Sequence, residues 1–144
     1  MPEKETLERA RKDKREGKAP STQAGEFVKE EIEHVREGKH GARSTKQAIA
    51  IGLAKARRAG VELPPSENSS EEVKEQAKRD LRKGKSGKKP SAKRSRATRK
   101  ALKKEGRSAA SKEALSRQAR KAAKKRSAAS RSRSAKKAAR TRKK

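Results

Sequence analysis

The sequence has no cysteine, tryptophan or tyrosine, and a single phenylalanine, Phe27. Without cysteine it has neither a disulfide framework nor a thiolate metal site, and its redox compartment is left open. Without several aromatics it has no stacking platform for single strands or splayed RNA bases. A basic helix lying on a membrane also needs Trp, Phe or Leu opposite its charges, and these are scarce. No apolar run approaches a signal-peptide core or a membrane span. Leu, Ile, Val and Phe together number 14 of 144 residues, about half the share at which high net charge already suggests disorder. Burial on that scale does not offset chain entropy over the whole length, so any fold is expected to be small and local.

What the chain has in quantity is positive charge. It carries 46 Lys and Arg against 18 Asp and Glu, a net +28. Residues 91–144 hold 23 Lys and Arg against Glu105 and Glu113 alone, so +21 of that total sits in the last stretch. A run this basic repels itself in water and calls for a polyanion. Glu3, Glu5, Glu8, Asp13 and Glu16 interleave with bases at the start, which argues against a mitochondrial presequence. A cytoplasmic, nucleoid-associated protein is the expectation.

Read in order, the chain divides into a charged arm (1–20), a helical hairpin (21–63), a linker region with a third helix (64–90) and a basic tail (91–144). The arm is read as a weak, exposed helix over 3–16 with Leu7 and Ala10 on one face, ending at Gly17 and fraying in solution. In the hairpin, Ser21 or Thr22 caps a helix with Ala24, Phe27, Val28, Ile32 and Val35 on one stripe, closed by Gly38. Ser44 and Gln47 form a capping-box pattern before a second helix with Ala48, Ile49, Gly52, Leu53 and Ala56 on one face. Gly60 ends it, Val61 supplies the closing apolar contact, and Pro64-Pro65 stops the helix. Phe27, Val28, Ile32, Val35, Ile49 and Leu53 are the predicted core. A third helix opens at Ser69 or Ser70, packs through Val73, Ala77 and Leu81, and ends at Gly84. Residues 64–70 and 84–91 are linkers by composition.

The tail is built mainly of Ala, Ser, Lys and Arg, with Arg107-Ser-Ala-Ala-Ser111 recurring as Arg126-Ser-Ala-Ala-Ser130. Neighbouring cations oppose one another along a helix until something neutralises them. The expected fold class is therefore mostly α with extensive disorder: a small αα-hairpin, extending to three helices, and a tail that becomes helical on a polyanion. The predicted nucleic-acid contacts are Lys93, Arg94, Arg96, Arg99, Lys100, Lys103, Lys104, Arg107, Arg117, Arg120, Lys121, Lys124, Lys125, Arg126, Arg131, Arg133, Lys136, Lys137 and Arg140. On a helix from about Ser108 to Arg126, Leu115, Ala119 and Ala122 fall opposite Arg117, Arg120, Lys121, Lys124 and Lys125. If about 7–10 of these bases meet phosphates, affinity falls roughly 10³–10⁵-fold between about 50 and 200 mM salt. Such contacts position a protein without reading bases. Duplex DNA is favoured as partner, with structured RNA or a ribosome as the alternative.

Other motifs are weaker. The hairpin has the outline of a helix-turn-helix, but its second helix is mainly Ala and Ile with bases at Lys46, Lys55, Arg57 and Arg58. A structural or dimerising module is the preferred reading, because so sparse an apolar surface would be better buried across a symmetric homodimer. A hairpin that recruits a protein, localised by its tail, is a further alternative. His34 with Glu30 makes a poor two-ligand metal pair, and no metal site is expected. Gly84-Lys85-Ser86 lacks the earlier P-loop glycine, since Arg79 stands there. Ser130-Arg-Ser-Arg-Ser134 is read as a plain basic run rather than a phosphorylation site. No Ser/His/Asp constellation fits so small a core. No enzyme, cofactor, small-molecule substrate or membrane partner is expected.

The tail, with Lys121-Ala-Ala-Lys-Lys125 and Lys136-Lys-Ala-Ala-Arg140, resembles the Lys/Ala-rich C-terminal domains of linker histones and bacterial histone-like proteins. Gly38-Lys-His-Gly41 followed by Ser44-Thr-Lys-Gln-Ala-Ile-Ala-Ile-Gly-Leu53 is similar to an uncharacterised family of small basic bacterial proteins. That resemblance implies a bacterial, DNA-associated protein and no reaction. Ala42-Arg-Ser-Thr-Lys-Gln47 also looks like a core histone tail, a coincidence here because it opens an amphipathic helix. The expected function is non-sequence-specific DNA binding of a histone-like, compacting kind.

Overall fold

The structure, a computed structural model, describes residues 2–66, 69–87, 89 and 91–143. Glu67, Asn68, Lys88 and Pro90 of the predicted linkers, and the terminal Met1 and Lys144, lie outside the described residues. Among those described, the chain forms seven α-helices, one 3-10 turn and no strand. They are α1 (Lys4–Arg15), α2 (Pro20–Arg36), α3 (Thr45–Arg58), α4 (Glu71–Ser86), α5 (Ala92–Lys103), the 3-10 turn Ser108–Ala110, α6 (Lys112–Lys124) and α7 (Ala128–Arg142).

This overturns the expected small hairpin with extensive disorder. The basic tail is helical in the isolated chain, and two of its local features account for that. Ser91, Ser111 and Ser127 each accept a hydrogen bond from the backbone N–H three residues on, at the head of α5, α6 and α7. Such a cap contributes about 1 kcal/mol, and the Ala, Lys and Arg that follow are strong helix formers. The tail is also anchored, because Ala109 and Ala110 are buried in the hairpin's core.

α2 and α3 form the centre of the molecule. They cross closely because Gly52 on α3 has no side chain: a Cβ there would overlap the Val28 backbone of α2. The turn between them begins at Gly38, whose φ of 78° is the left-handed conformation that ends α2, with Lys39 N–H bonded to the His34 carbonyl at 3.0 Å. α2 starts one step before the predicted caps, with Pro20 as its first residue after Ala19; a proline is suited to that position because its missing N–H would be unpaired anyway. Ser44 Oγ accepts from Gln47 N–H at 3.1 Å, and Gln47 reaches back to Arg43 N–H at 2.6 Å. At the far end of α3, Gly60 (φ 102°) and the Val61 N–H bond to the Ala56 carbonyl at 3.0 Å close the helix.

Two apolar clusters lie along this pair. One, near the turn, holds Ile32, Val35, Ala42, Ala48, Ala109 and Ala110, with Val28 and Leu115 at its edge. The other holds Ala10, Ala24, Phe27, Ala56 and Val61, with Leu7, Leu53 and Leu63 around it. Of the predicted core, Phe27, Ile32 and Val35 are buried, while Val28, Ile49 and Leu53 are half-buried. The arm is not a fraying helix: α1 lays Thr6, Ala10 and Asp13 inward, and Arg9 reaches Glu26 on α2 at 2.8 Å.

α4 also packs differently from its apolar stripe. Val73 is 51% exposed, and the helix meets α3 through Ala77, Asp80 and Gly84. Asp80 is buried and receives Arg58 Nε at 2.9 Å and Gln76 Nε2 at 3.2 Å. Gly84 faces the Arg57 carbonyl, which a Cβ would overlap. It therefore does not end the helix; α4 runs on to Ser86 and Gly87 (φ 65°) caps it. No helix among the described residues is long and apolar enough to cross a membrane.

Candidate nucleic-acid interface

α5, α6 and α7 carry the same arrangement of bases. Arg96, Arg99, Lys100 and Lys103 stand at i, i+3, i+4 and i+7 on α5. Arg117, Arg120, Lys121 and Lys124 repeat that spacing on α6, and Arg133, Lys136, Lys137 and Arg140 repeat it on α7. On a 3.6-residue helix these four positions form one stripe about 10 Å long, past which a duplex would present roughly six phosphates. On α6 the stripe lies on the side away from Leu115, which packs on the core. The predicted contacts include all twelve of these bases but not their threefold register, whose only signal in the sequence is the spacing.

All of the predicted contact residues, from Lys93 to Arg140, are exposed. Among the described residues, none of them forms an ion pair with a carboxylate. Two are partly occupied otherwise. The Arg107 guanidinium lies over Gly38, and Arg126 donates to the Ser130 carbonyl at 3.2 Å and to the hydroxyls of Ser130 and Ser134. Both belong to the Arg-Ser-Ala-Ala-Ser repeat, whose two copies differ in structure. The first sends its alanines into the core, while the second begins α7 with its alanines exposed. On α6, Ala119 and Ala122 are exposed; Ala114, Leu115 and Gln118 form the half-buried side instead.

The tail meets the hairpin at the Gly38-Lys-His-Gly41 turn. Gly41 N–H bonds to the Leu102 carbonyl at 2.9 Å, and Ala42 N–H to the Gly106 carbonyl at 3.1 Å. Gly41 permits this approach, since a Cβ would overlap the Glu105 carbonyl. Arg36 Nε donates to the Ala110 carbonyl at 2.8 Å, and Thr45 Oγ1 to the Ala109 carbonyl at 2.5 Å. Beside this seam opens a groove of about 450 Å³, bordered by Arg43, Lys46, Arg117 and Lys121 and by the cap residues Ser44 and Ser111. Two helix N-termini, of α3 and α6, therefore border one basic groove. Dipole and side-chain charge both favour an anion there.

α3 itself is poorly placed to enter a DNA groove. Lys55 pairs with the buried Glu31, Arg57 is buried with its Nε on the Leu63 carbonyl at 2.8 Å, and Arg58 holds Asp80. Burial pushes the Arg57 pKa below its usual value. Of the four bases that suggested a recognition helix, only Lys46 faces the groove.

The hairpin half spends its charges internally. Bonding to Glu26 raises the pKa of Arg9, and bonding to Asp13, then Glu16, raises that of Lys18. Lys39 is raised by Glu3 and Glu37. Its most crowded group involves both histidines. His34 Nε2 is 3.0 Å from Glu3 Oε1 and its Nδ1 is 3.9 Å from Glu31 Oε1. His40 Nε2 is 3.1 Å from Glu31 Oε2 and its Nδ1 is 2.9 Å from the Gly41 carbonyl. Glu3 N–H donates to the buried Glu30 Oε1 at 2.6 Å.

Residues 4–67 match the model of DUF6496, a family of unknown function. No curated protein and no solved structure matches the chain. The matched region spans α1 to α3, the half in which charges are paired, and includes the histidine turn. It stops short of α4 and of the three basic helices. The match thus bears out an uncharacterised family for the hairpin, while the likeness of the tail to histone-type domains rests on its composition.

Proposed function

We propose that this chain binds nucleic acid through the phosphate backbone, without reading sequence, using the basic stripes of α5, α6 and α7 and the groove beside Lys46. Duplex DNA is the favoured partner, and compaction or coating is the role such binding would serve. The observation that carries the reading is the exposure of the stripe bases, which form no ion pair with a carboxylate among the described residues. A cation already held by a carboxylate gains little from a phosphate. One surrounded only by its own kind gains both the new contact and relief from repulsion, and counterions are released as it binds. The near-absence of aromatics supports contact with phosphates over stacking on bases.

Much of the apolar face of α2 and α3 is covered by α1, the 3-10 turn and Leu115 of the same chain, so the proposed binding does not depend on a hairpin dimer.

Fluorescence anisotropy of a labelled duplex, read from about 50 to 200 mM salt, tests the proposal. The expected result is affinity that falls linearly on a log–log plot, with a slope near −0.9 per phosphate neutralised, and little change between unrelated sequences. Affinity insensitive to salt would overturn it. Structured RNA that competes at far lower concentration than duplex DNA would move the reading to an RNA- or ribosome-associated factor.

A further inference from the structure

The histidine cluster presents more oxygen acceptors than its rings have protons when neutral. A neutral imidazole carries one N–H, so one ring nitrogen donates and the other accepts. His40 nevertheless faces an oxygen acceptor on both sides, the Gly41 carbonyl at Nδ1 and Glu31 Oε2 at Nε2. His34 also has a carboxylate at each nitrogen, Glu3 at Nε2 and Glu31 at Nδ1. The two rings stand edge to face with centroids 6.1 Å apart. Glu30, only 2% exposed, adds a buried Oε2 with no hydrogen-bond partner. Two ammonium groups already meet these carboxylates, Lys55 against Glu31 Oε1 and Lys39 at 3.3 Å from Glu3 Oε1, and neither faces a ring nitrogen.

We propose that Glu31, His34 and His40 form a binding site for a divalent transition-metal ion of the zinc class, held by His34 Nδ1, His40 Nε2 and the Glu31 carboxylate. One donor atom from each lies within 4.8 Å of the others. Bonds of about 2.0–2.2 Å in a tetrahedral site place donors about 3.4 Å apart. The observed 3.1 and 3.9 Å separations bracket that value. The outer contacts agree. Gly41's carbonyl takes the Nδ1 proton of His40 and leaves Nε2 free to ligate, and Glu3 takes the Nε2 proton of His34 and leaves Nδ1 free. A carboxylate or carbonyl behind each ligating histidine is the arrangement that fixes tautomer and ring orientation at metal sites. Lys55 is partly exposed and can swing outward from α3 when the ion enters.

The site ties together α2, the Gly38–Gly41 turn and, through Glu3, the start of α1. The same turn receives the Leu102 and Gly106 carbonyls of the tail, so the ion would brace the surface on which the basic helices dock. The sequence offered only the Glu30–His34 spacing; His40 arrives through the turn, and Glu31 is the carboxylate that faces both rings.

Cobalt(II), added to chelator-treated full-length protein without nucleic acid, is the probe. One equivalent is expected to bind with the visible absorption of a tetrahedral nitrogen–oxygen site, and zinc should displace it. His34→Gln, His40→Gln and Glu31→Gln should each weaken binding at least tenfold, and Glu3→Gln by about tenfold as an outer contact. Lys55→Met removes the competing ammonium and should tighten binding, with zinc raising its thermal midpoint more than that of the parent protein. The Lys55 variant tests the site even if a histidine variant loses its helix by circular dichroism. Absence of saturable cobalt binding in both the parent and Lys55→Met would overturn the proposal. So would cobalt binding that persists unchanged in a folded variant lacking both histidines, since the ion would then sit elsewhere.

Discussion

The two halves of this chain handle the same residue types in opposite ways. Up to residue 90 there are 23 bases to 16 acids, and key bases are committed: Arg9 to Glu26, Lys18 to Asp13, Lys55 to Glu31, Arg58 to Asp80. Most of these pairs join one helix to another, so charge there contributes to the fold. From α5 onward acids are almost absent, with Glu113 the one carboxylate on these helices, and among the described residues none of the stripe bases forms an ion pair. Net charge alone does not separate these roles. What separates them is whether a carboxylate stands within reach, and that decides which lysines and arginines are available to a phosphate.

The largest effect should come from removing the unpaired bases. Replacing the α5, α6 and α7 quartets with glutamine is expected to lower duplex affinity by about 10³-fold or more and to flatten the salt slope by about 0.9 for each phosphate no longer neutralised. The same variant should keep its helicity and melt within about 0.5 kcal/mol of the parent, as substitutions at exposed sites usually do. Anisotropy and thermal denaturation on one preparation would check both. A marked loss of stability would mean that the stripes have partners inside the fold, and the contrast between the halves would fail.

The reverse experiment acts on a paired base. Arg58→Ala leaves Asp80 buried with Gln76 as its remaining side-chain donor and should destabilise the protein by about 1–3 kcal/mol in urea denaturation, while DNA affinity changes less than twofold. At the seam, Gly41→Ala forces a Cβ into the Glu105 carbonyl. It is expected to cost about 1–3 kcal/mol and to break the Leu102 and Gly106 bonds. Limited proteolysis should then cut near 102–111 ahead of α2 and α3.

Local signals are the most legible in the sequence. The capping pattern at Ser44 and Gln47, the Gly38 and Gly60 terminations and the Phe27–Val35 stripe all rest on contacts within a few residues. The helices of the tail are not legible in the same way. Repulsion between cations opposes their helix propensity, and the serine caps and the anchor at Ala109 and Ala110 tip that balance only in the fold. Alanines carry no periodic signal strong enough to mark them as core. Their burial depends on Gly41, far back in the sequence, being small enough to admit the chain at Glu105 and Gly106. α4 lies where its pattern predicts but is turned, since a buried Asp80 outweighs Val73 once Arg58 is there to receive it. The bases can be counted in the sequence, while the stripes they form become visible only on the helices that carry them.

The smallest effect distinguishes the halves by acid. Glu3 is held below the usual carboxylate range by its hydrogen bonds to His34 and then Lys39. A depressed folded pKa means that the unfolded chain takes up the proton first, so the contribution of Glu3 is complete above the ordinary value of 4.5. It is lost as pH falls from there through the lower folded value. Amide exchange should therefore quicken at the start of α1 over that window, before the centre of α2 responds. The stretch from α5 to α7 contains only Glu105 and Glu113 as acids, neither in an ion pair among the described residues, and should exchange as before once the intrinsic pH effect is removed. Glu3→Gln should loosen α1 at neutral pH and abolish its acid step. Acid loosening of α6 or α7 in the same window would show that the tail relies on a carboxylate after all, and would break the division between paired and unpaired charge.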